Sequence, residues 1–295
     1  MSLDNEAGDG ITARENARNR LVYLFRLSRP RFWFYLAGPV LVGLVYAAPS
    51  PNALVSPLSF ALFLYFLVPA NLFLYGVNDY FDADIDEENP KKEDKEVRYT
   101  ADRVVAAAVV VSGALGFVFV TFLSFAAIVW LGVFYALAVG YSAPPTRFKK
   151  VPFADSISNG LYIVPGVIAY LSFGSAGTVP AFTAAGAWLW AMGMHTFSAI
   201  PDIEPDREGG VETTATFLGE RATLGYCAVV WTASAVVFAP VSLPFAALLL
   251  VYPALALGVA YTDTDVSRAY WYFPLLNTGV GGIVTFVGLW RLVQL

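Results

Sequence analysis

Long apolar stretches are the feature that most constrains how this chain folds. They lie near 31–48, 58–77, 103–121, 124–142, 156–173, 180–199, 222–239, 243–261 and 270–293. A membrane-spanning helix needs about 20 apolar residues, and each stretch approaches that length. Only 14% of the 295 residues are charged, whereas about 25% are charged in soluble domains. The sequence therefore predicts an all-α, polytopic membrane protein with about nine transmembrane helices.

The basic residues predict how these helices are oriented. Of the 18 lysines and arginines, 17 fall in the N-terminal arm and in the connections after the second, fourth, sixth and eighth stretches. These segments share one membrane face if all nine stretches cross. Because basic loops face the cytoplasm, we expect a multi-pass protein of the cell membrane with its N-terminus and these polar connections cytoplasmic. Residues 1–20 are predicted to be a polar, disordered arm, and 21–295 a single transmembrane domain.

The scarcity of certain residue types excludes several classes of function. The chain has one cysteine and one histidine, which rules out a disulfide framework and multi-histidine or cysteine-based metal centres. The helix centres are nearly free of ionisable side chains, whereas ion transporters usually carry such groups at mid-membrane depth. All lysines lie in connections, so a retinal Schiff base is excluded. The polar chemistry is therefore expected at one face of the membrane.

Two acidic motifs lie at that face. Asn78, Asp82 and Asp86 are spaced four residues apart after the second stretch, so they share one side of the helix if it continues. Oxygen ligands of this kind suit Mg²⁺, which binds one or two carboxylates together with substrate phosphates. Asp202 and Asp206 follow the sixth stretch, 120 positions after Asp82 and Asp86. These residues are the predicted metal ligands, and the four aspartates are the predicted catalytic residues.

The constant offset between the motifs predicts an internal repeat. Four stretches separate them, so the chain reads as two related four-helix halves followed by a ninth helix. The two motifs would then face each other across a central cavity, where their carboxylates could hold two Mg²⁺ ions around a diphosphate. The same face carries basic and hydroxyl side chains suited to contact a phosphate group: Arg98, Tyr141, Ser142, Arg147 and Lys149.

A diphosphate site at the mouth of an apolar cavity predicts an allylic diphosphate as substrate. Metal and basic groups would stabilise the departing diphosphate, and aromatic faces would stabilise the allylic cation. The expected partners are this donor, a hydrophobic isoprenoid acceptor and the lipid bilayer, without nucleic acid. His195 is interpreted as a packing residue and not as a catalyst.

These motifs resemble those of the UbiA-type intramembrane prenyltransferases. The matching residues include Asn78-Asp79-x-x-Asp82-x-x-x-Asp86, Asp202-x-x-x-Asp206, the segment 141–149 and Arg29-Pro30. The resemblance implies nine helices around a cavity and Mg²⁺-dependent transfer of an isoprenoid to a lipophilic acceptor. Within the family the likeness is greatest to the carotenoid elongases of salt-adapted microbes. It implies dimethylallyl diphosphate as donor and lycopene as acceptor, and hydration accompanies the transfer in some of these enzymes.

Residue chemistry by itself leaves other functions open. The same site could serve a quinone precursor, a chlorophyllide or an ether-lipid acceptor. A carrier of isoprenoids or lipids without enzymatic activity would use the carboxylates to bind cations structurally. A divalent-cation transporter would also use them, but it would require acidic groups at mid-membrane depth.

Overall fold

The computed structural model of the protein describes residues 18–86, 103–174, 177–262 and 264–294, and for 82–86 it describes the backbone only. Within these ranges every regular element is helical. The predicted N-terminal arm lies outside the described residues except for 18–20, which are helical. The arm and domain boundaries therefore stay predictions.

The longer helices follow one another along the chain with short connections. They are α1 (18–27), α2 (Trp33–Ala47), α3 (Pro57–Leu67), α4 (Pro69–Asp86), α5 (Arg103–Leu115), α6 (Phe125–Ser142), α7 (Val164–Phe173), α8 (Ala181–Ala199), α9 (Glu220–Phe238), α10 (Leu243–Leu249), α11 (Val251–Thr262) and α12 (Val266–Gln294). Shorter helical turns lie between them: Pro30–Phe32, Pro51–Leu54, Gly116–Thr121, Phe148–Lys150, Ala154–Ser158, Asn159–Ile163, Ile200–Asp202, Ile203–Glu208 and Thr214–Leu218.

Seven helical segments of the described chain are long and apolar enough to cross a membrane. They are Pro57–Phe81, Arg103–Thr121, Phe125–Ser142, Ala154–Phe173, Glu220–Phe238, Leu243–Thr262 and Val266–Gln294. The predicted stretches near 31–48 and 180–199 are also helical, as α2 and α8. Helix α2 has only 15 residues. Helix α8 is continuous but contains histidine, glycine and tryptophan residues, which lower its mean hydropathy. The protein is thus a multi-pass helical membrane protein.

Local sequence explains where the helices break and begin. Pro69 has no N–H and ends the regular bonding between α3 and α4. Asn71 compensates, because its side-chain amide donates to the carbonyls of Phe66 at 2.8 Å and Leu67 at 3.0 Å. Ser124 accepts a bond from the backbone N–H of Ala127 and so caps the start of α6.

Small residues allow the closest helix pairs to form. Helix α2 packs along α7, and a Cβ at Gly166 would lie 2.6 Å from the Pro39 carbonyl oxygen, so only glycine fits there. Such contacts between small residues are typical of helices packed in membranes. Helix α8 packs similarly along α9, where Gly193 meets Trp231. Two larger buried cores result among the described residues, one formed by residues between 36 and 191 and the other by residues between 194 and 280. A smaller third core joins Leu27, Leu72, Val105 and Val109.

Candidate active site

The first acidic motif lies on a single continuous helix. The second apolar stretch was expected to end near 77, but α4 continues to Asp86. Asn78, Asp82 and Asp86 therefore occupy successive turns of one helix, as their four-residue spacing predicted. The side chains of Asp82 and Asp86 lie outside what the structure describes, as does all of Arg98.

Residues that follow α6 contact the beginning of this motif. Ser142, fully buried, donates a hydrogen bond of 2.5 Å to the side-chain oxygen of Asn78. Arg147 donates to the carbonyls of Phe81 at 2.8 Å and Ser142 at 3.2 Å. The segment predicted to bind diphosphate is thus bonded directly to the helix that carries the first acidic motif.

A buried ion pair that was not among the predicted site residues lies next to Asn78. Asp79 is 2% exposed, and its Oδ1 lies 3.3 Å from the Nη2 of Arg29. The Arg29 guanidinium also covers the Tyr75 ring at 4.5 Å, a cation–π contact. Both Arg29 and Arg147 have positive φ angles, 50° and 43°, which are uncommon for residues other than glycine and concentrate at functional sites. The signal in the sequence was the position of Asp79 inside the motif and of Arg29 before Pro30.

The second acidic motif lies on short helical turns after α8. Asp202 ends the turn Ile200–Asp202 and is exposed, whereas Asp206, in Ile203–Glu208, is half-buried. The following segment is anchored by Asp155, whose carboxylate is fully buried and accepts bonds from the backbone N–H and the hydroxyl of Thr214. Asp155 was not predicted as a site residue, although an acid at the start of an apolar stretch is itself a signal.

Lys149 connects the two halves of the site electrostatically. Its side chain is buried, and this burial, together with repulsion by Lys150, lowers the pKa of its ammonium to about 8. Asp206 and Asp79 act in the opposite direction and raise this pKa. Because such interactions weaken with distance, both carboxylates lie near the ammonium. One basic residue is therefore influenced by acids from both the first and the second motif region.

Tyr141, one of the predicted diphosphate contacts, meets a residue of α8. Its hydroxyl lies 3.1 Å from Nε2 of His195, and the two rings meet edge to face. Both residues are half-buried. His195 therefore packs against Tyr141, and the contact of Tyr141 with a diphosphate stays a prediction.

The chemistry of the residues fits a divalent cation. Carboxylate and amide oxygens, which Mg²⁺ prefers, are the groups that the two motifs supply. Among the described residues no three His, Cys, Asp or Glu side chains lie close enough together to bind a metal ion. The side chains of Asp82 and Asp86 are not among those that the structure describes. Arg147 and Lys149 add the positive groups that a diphosphate needs beside the metal.

Comparison with known proteins identifies the family of this chain. The model of the UbiA prenyltransferase family matches residues 36–273. A protein of Haloarcula japonica named lycopene elongase/hydratase is 59% identical over 272 residues, which cover 92% of each chain. The protein of that name from Haloferax volcanii is 55% identical over 294 residues and covers 100% of this chain and 97% of its own.

Solved structures share the fold at lower identity. A UbiA homolog from Archaeoglobus fulgidus bound to GPP and Mg²⁺ has a TM-score of 0.73 and 21% identity, covering 92% of this chain and 100% of its own. A UbiA homolog from Aeropyrum pernix has a TM-score of 0.64 and 21% identity, with 87% and 96% covered. With the family model matching most of the chain, we conclude that this protein belongs to the UbiA prenyltransferase family.

Proposed function

We propose that the protein is a Mg²⁺-dependent prenyltransferase that transfers a dimethylallyl group from dimethylallyl diphosphate to lycopene. The observation that carries the acceptor is the 55–59% identity, over nearly the whole of both chains, to relatives named lycopene elongase/hydratase. The donor and metal are supported by structures of Archaeoglobus fulgidus homologs bound to DMAPP or GPP with Mg²⁺. The geometry of the site is consistent with this chemistry.

In this proposal nine helices form two related halves, and both acidic motifs open toward the cytoplasm. The constant offset of 120 positions between the motifs supports a division into halves, and the basic connections support the orientation. Asn78, Asp82 and Asp86 hold metal from one half, and Asp202 and Asp206 hold it from the other. Bound Mg²⁺ would neutralise charge on the diphosphate.

The remaining residues of the site act on the diphosphate and on the hydrocarbon. Acids of both regions raise the pKa of Lys149, and this lysine binds the diphosphate with Arg98, Arg147, Tyr141 and Ser142. As the carbon–oxygen bond of the donor breaks, these groups stabilise the negative charge that develops on the leaving diphosphate. The acceptor lies deeper, among aromatic side chains, where its alkene attacks the allylic carbon away from bulk water.

The test uses membranes that contain the protein, supplied with dimethylallyl diphosphate, lycopene and Mg²⁺. Mass spectrometry should show products that are one and two five-carbon units longer than lycopene, and EDTA should abolish them. Unchanged lycopene in the Mg²⁺ sample would refute the acceptor, and turnover that survives EDTA would refute the metal.

Substitution separates the proposed ligands from neighbouring acids. Asp82→Ala and Asp202→Ala should each abolish turnover without loss of the helical fold. Glu204→Ala is the matched control, because Glu204 is exposed and pairs only at the surface with Arg207, at 2.8 Å. Surface pairs of this kind contribute little, so this variant should retain activity.

A further inference from the structure

Three tyrosines from different helical segments cluster beside the first acidic motif. Tyr35 and Tyr162 meet edge to face with ring centroids 6.0 Å apart, and the hydroxyls of Tyr75 and Tyr162 lie beside each other. Because Arg29 covers Tyr75 and pairs with Asp79, this group adjoins the acidic site. We call Tyr35, Tyr75 and Tyr162 the tyrosine belt.

Two of the three rings of the belt are only partly covered. Tyr35 and Tyr162 each keep part of their side-chain surface accessible, as Tyr141 and His195 do. Phe32 flanks Tyr35, with ring centroids 5.4 Å apart. An allylic or tertiary cation beside the belt would therefore face aromatic rings, which stabilise positive charge.

One polar atom at the belt is buried without a hydrogen-bond partner. Asn277 on α12 is 9% exposed, and its side-chain nitrogen donates to the Tyr35 hydroxyl at 3.2 Å. Its Oδ1 has no partner among the described residues. Rotating the amide by 180° would exchange the two atoms and still leave one of them unpaired.

An unpaired amide oxygen at this depth is costly. A buried acceptor left unsatisfied loses its hydrogen bonds to water without replacement, and the surrounding hydrocarbon of a membrane supplies no donors. A water molecule would relieve the cost, because it can donate to Asn277 and bond to the Tyr35 hydroxyl at the same time. Buried waters typically have two to four such polar partners.

We propose that Asn277 and Tyr35 hold the water molecule that adds to the carbocation formed during prenyl transfer. This inference rests on the proposed function. The carbon–oxygen bond of the donor breaks, and the alkene of the acceptor forms the new carbon–carbon bond, which leaves a tertiary cation. A lone pair of the held water then forms a carbon–oxygen bond, and the proton released from that water passes to the departing diphosphate.

The same cation has a second outcome when no water is held. A neighbouring C–H then loses its proton to the diphosphate, and the product is an alkene. The water site therefore determines the ratio of hydroxylated to alkene product without determining whether the five-carbon unit is added. This separation makes the product ratio the decisive quantity.

The experiment measures this ratio in membranes that contain the full-length protein, with dimethylallyl diphosphate, lycopene, Mg²⁺ and ¹⁸O-labelled water. The variant Asn277→Leu keeps a similar volume and removes both polar atoms. We expect the ratio of ¹⁸O-labelled hydroxylated product to alkene product to fall about tenfold, as for the loss of one hydrogen bond, while total prenylated product changes little. Thr278→Val is the control, because Thr278 is exposed and bonds only to the Pro274 carbonyl.

Tyr35→Phe provides a second variant in case Asn277→Leu does not accumulate in membranes. It keeps the ring contacts with Phe32 and Tyr162 and removes one oxygen atom, so the ratio should again fall. An unchanged ratio in Tyr35→Phe, or a wild-type product without ¹⁸O, would overturn this inference and leave prenyl transfer standing. Failure of the wild-type protein to elongate lycopene at all would instead refute the proposed function.

Discussion

Lys149 offers the sharpest link between the structure and activity. At pH 7 this lysine is charged in both the folded and the unfolded chain, since 7 lies below both the folded pKa of about 8 and the ordinary 10.5. The lowered pKa means that the charged form is disfavoured in the folded protein, by about 3 kcal/mol. Burial is the largest cause. The folded protein therefore holds a poorly solvated ammonium at the proposed diphosphate site.

The variant Lys149→Met should separate the free-energy cost of burying the ammonium from the contribution of Lys149 to diphosphate binding. Removal of the ammonium relieves the unfavourable burial, so the substrate-free protein should unfold at the same temperature as the wild type or higher. The same change removes a charge-assisted bond to diphosphate worth about 1.5–3 kcal/mol, which corresponds to about a 10- to 100-fold loss of kcat/KM for the donor. Thermal unfolding in detergent and initial rates in membranes provide the two measurements.

Lys150→Met is the matched control for this substitution. Lys150 is adjacent but less buried, and its pKa is lowered less, first by burial and then by Arg147. Its replacement should change kcat/KM by no more than about twofold, as for a solvated charge. A Lys149→Met variant that lost stability yet kept kcat/KM near the wild-type value would refute the proposed role of Lys149 in diphosphate binding.

Two further substitutions test how the second motif and the first are held in place. Asp155→Ala should lower the unfolding free energy by about 3 kcal/mol, because it leaves the buried N–H and hydroxyl of Thr214 without an acceptor; chemical denaturation in detergent checks this, and a change below about 1 kcal/mol would contradict the anchoring role. Ser142→Ala frees the side-chain oxygen of Asn78 and should raise the Mg²⁺ concentration needed for half-maximal activity about fivefold. An unchanged Mg²⁺ titration would show that this bond does not orient the metal site.

The helical class and the ends of most helices were predictable because each depends on local chemistry. Apolar stretches of sufficient length, Pro57 after a serine cap, and Ser124 before α6 are signals that a sequence carries within a few residues. The extent of α4 was less predictable, because its last turns are polar and acidic and resemble a loop in composition. Only the structure shows that the helix continues to Asp86.

The shared helical face of the first acidic motif was predictable from its spacing. Contacts between residues far apart in the sequence were not predictable. The spacing of Asn78, Asp82 and Asp86 already indicated a shared helical face. By contrast, Arg29 meets Asp79 across 50 positions, and Asn277 meets Tyr35 across 242 positions. No periodicity connects such pairs, since packing of separate helices brings them together. For the same reason the partner of His195, which is Tyr141 on another helix, could not be identified from the sequence.

The proposed function requires that the two acidic motifs bind metal around one shared diphosphate. Anomalous diffraction from crystals grown with Mn²⁺ and a dimethylallyl diphosphate analogue that does not react would test this requirement most directly. We expect Mn²⁺ peaks bridged by a single diphosphate, with ligands from Asp82 or Asp86 on one side and from Asp202 or Asp206 on the other. Mn²⁺ bound at one motif alone, or motifs too far apart to share the diphosphate, would contradict it.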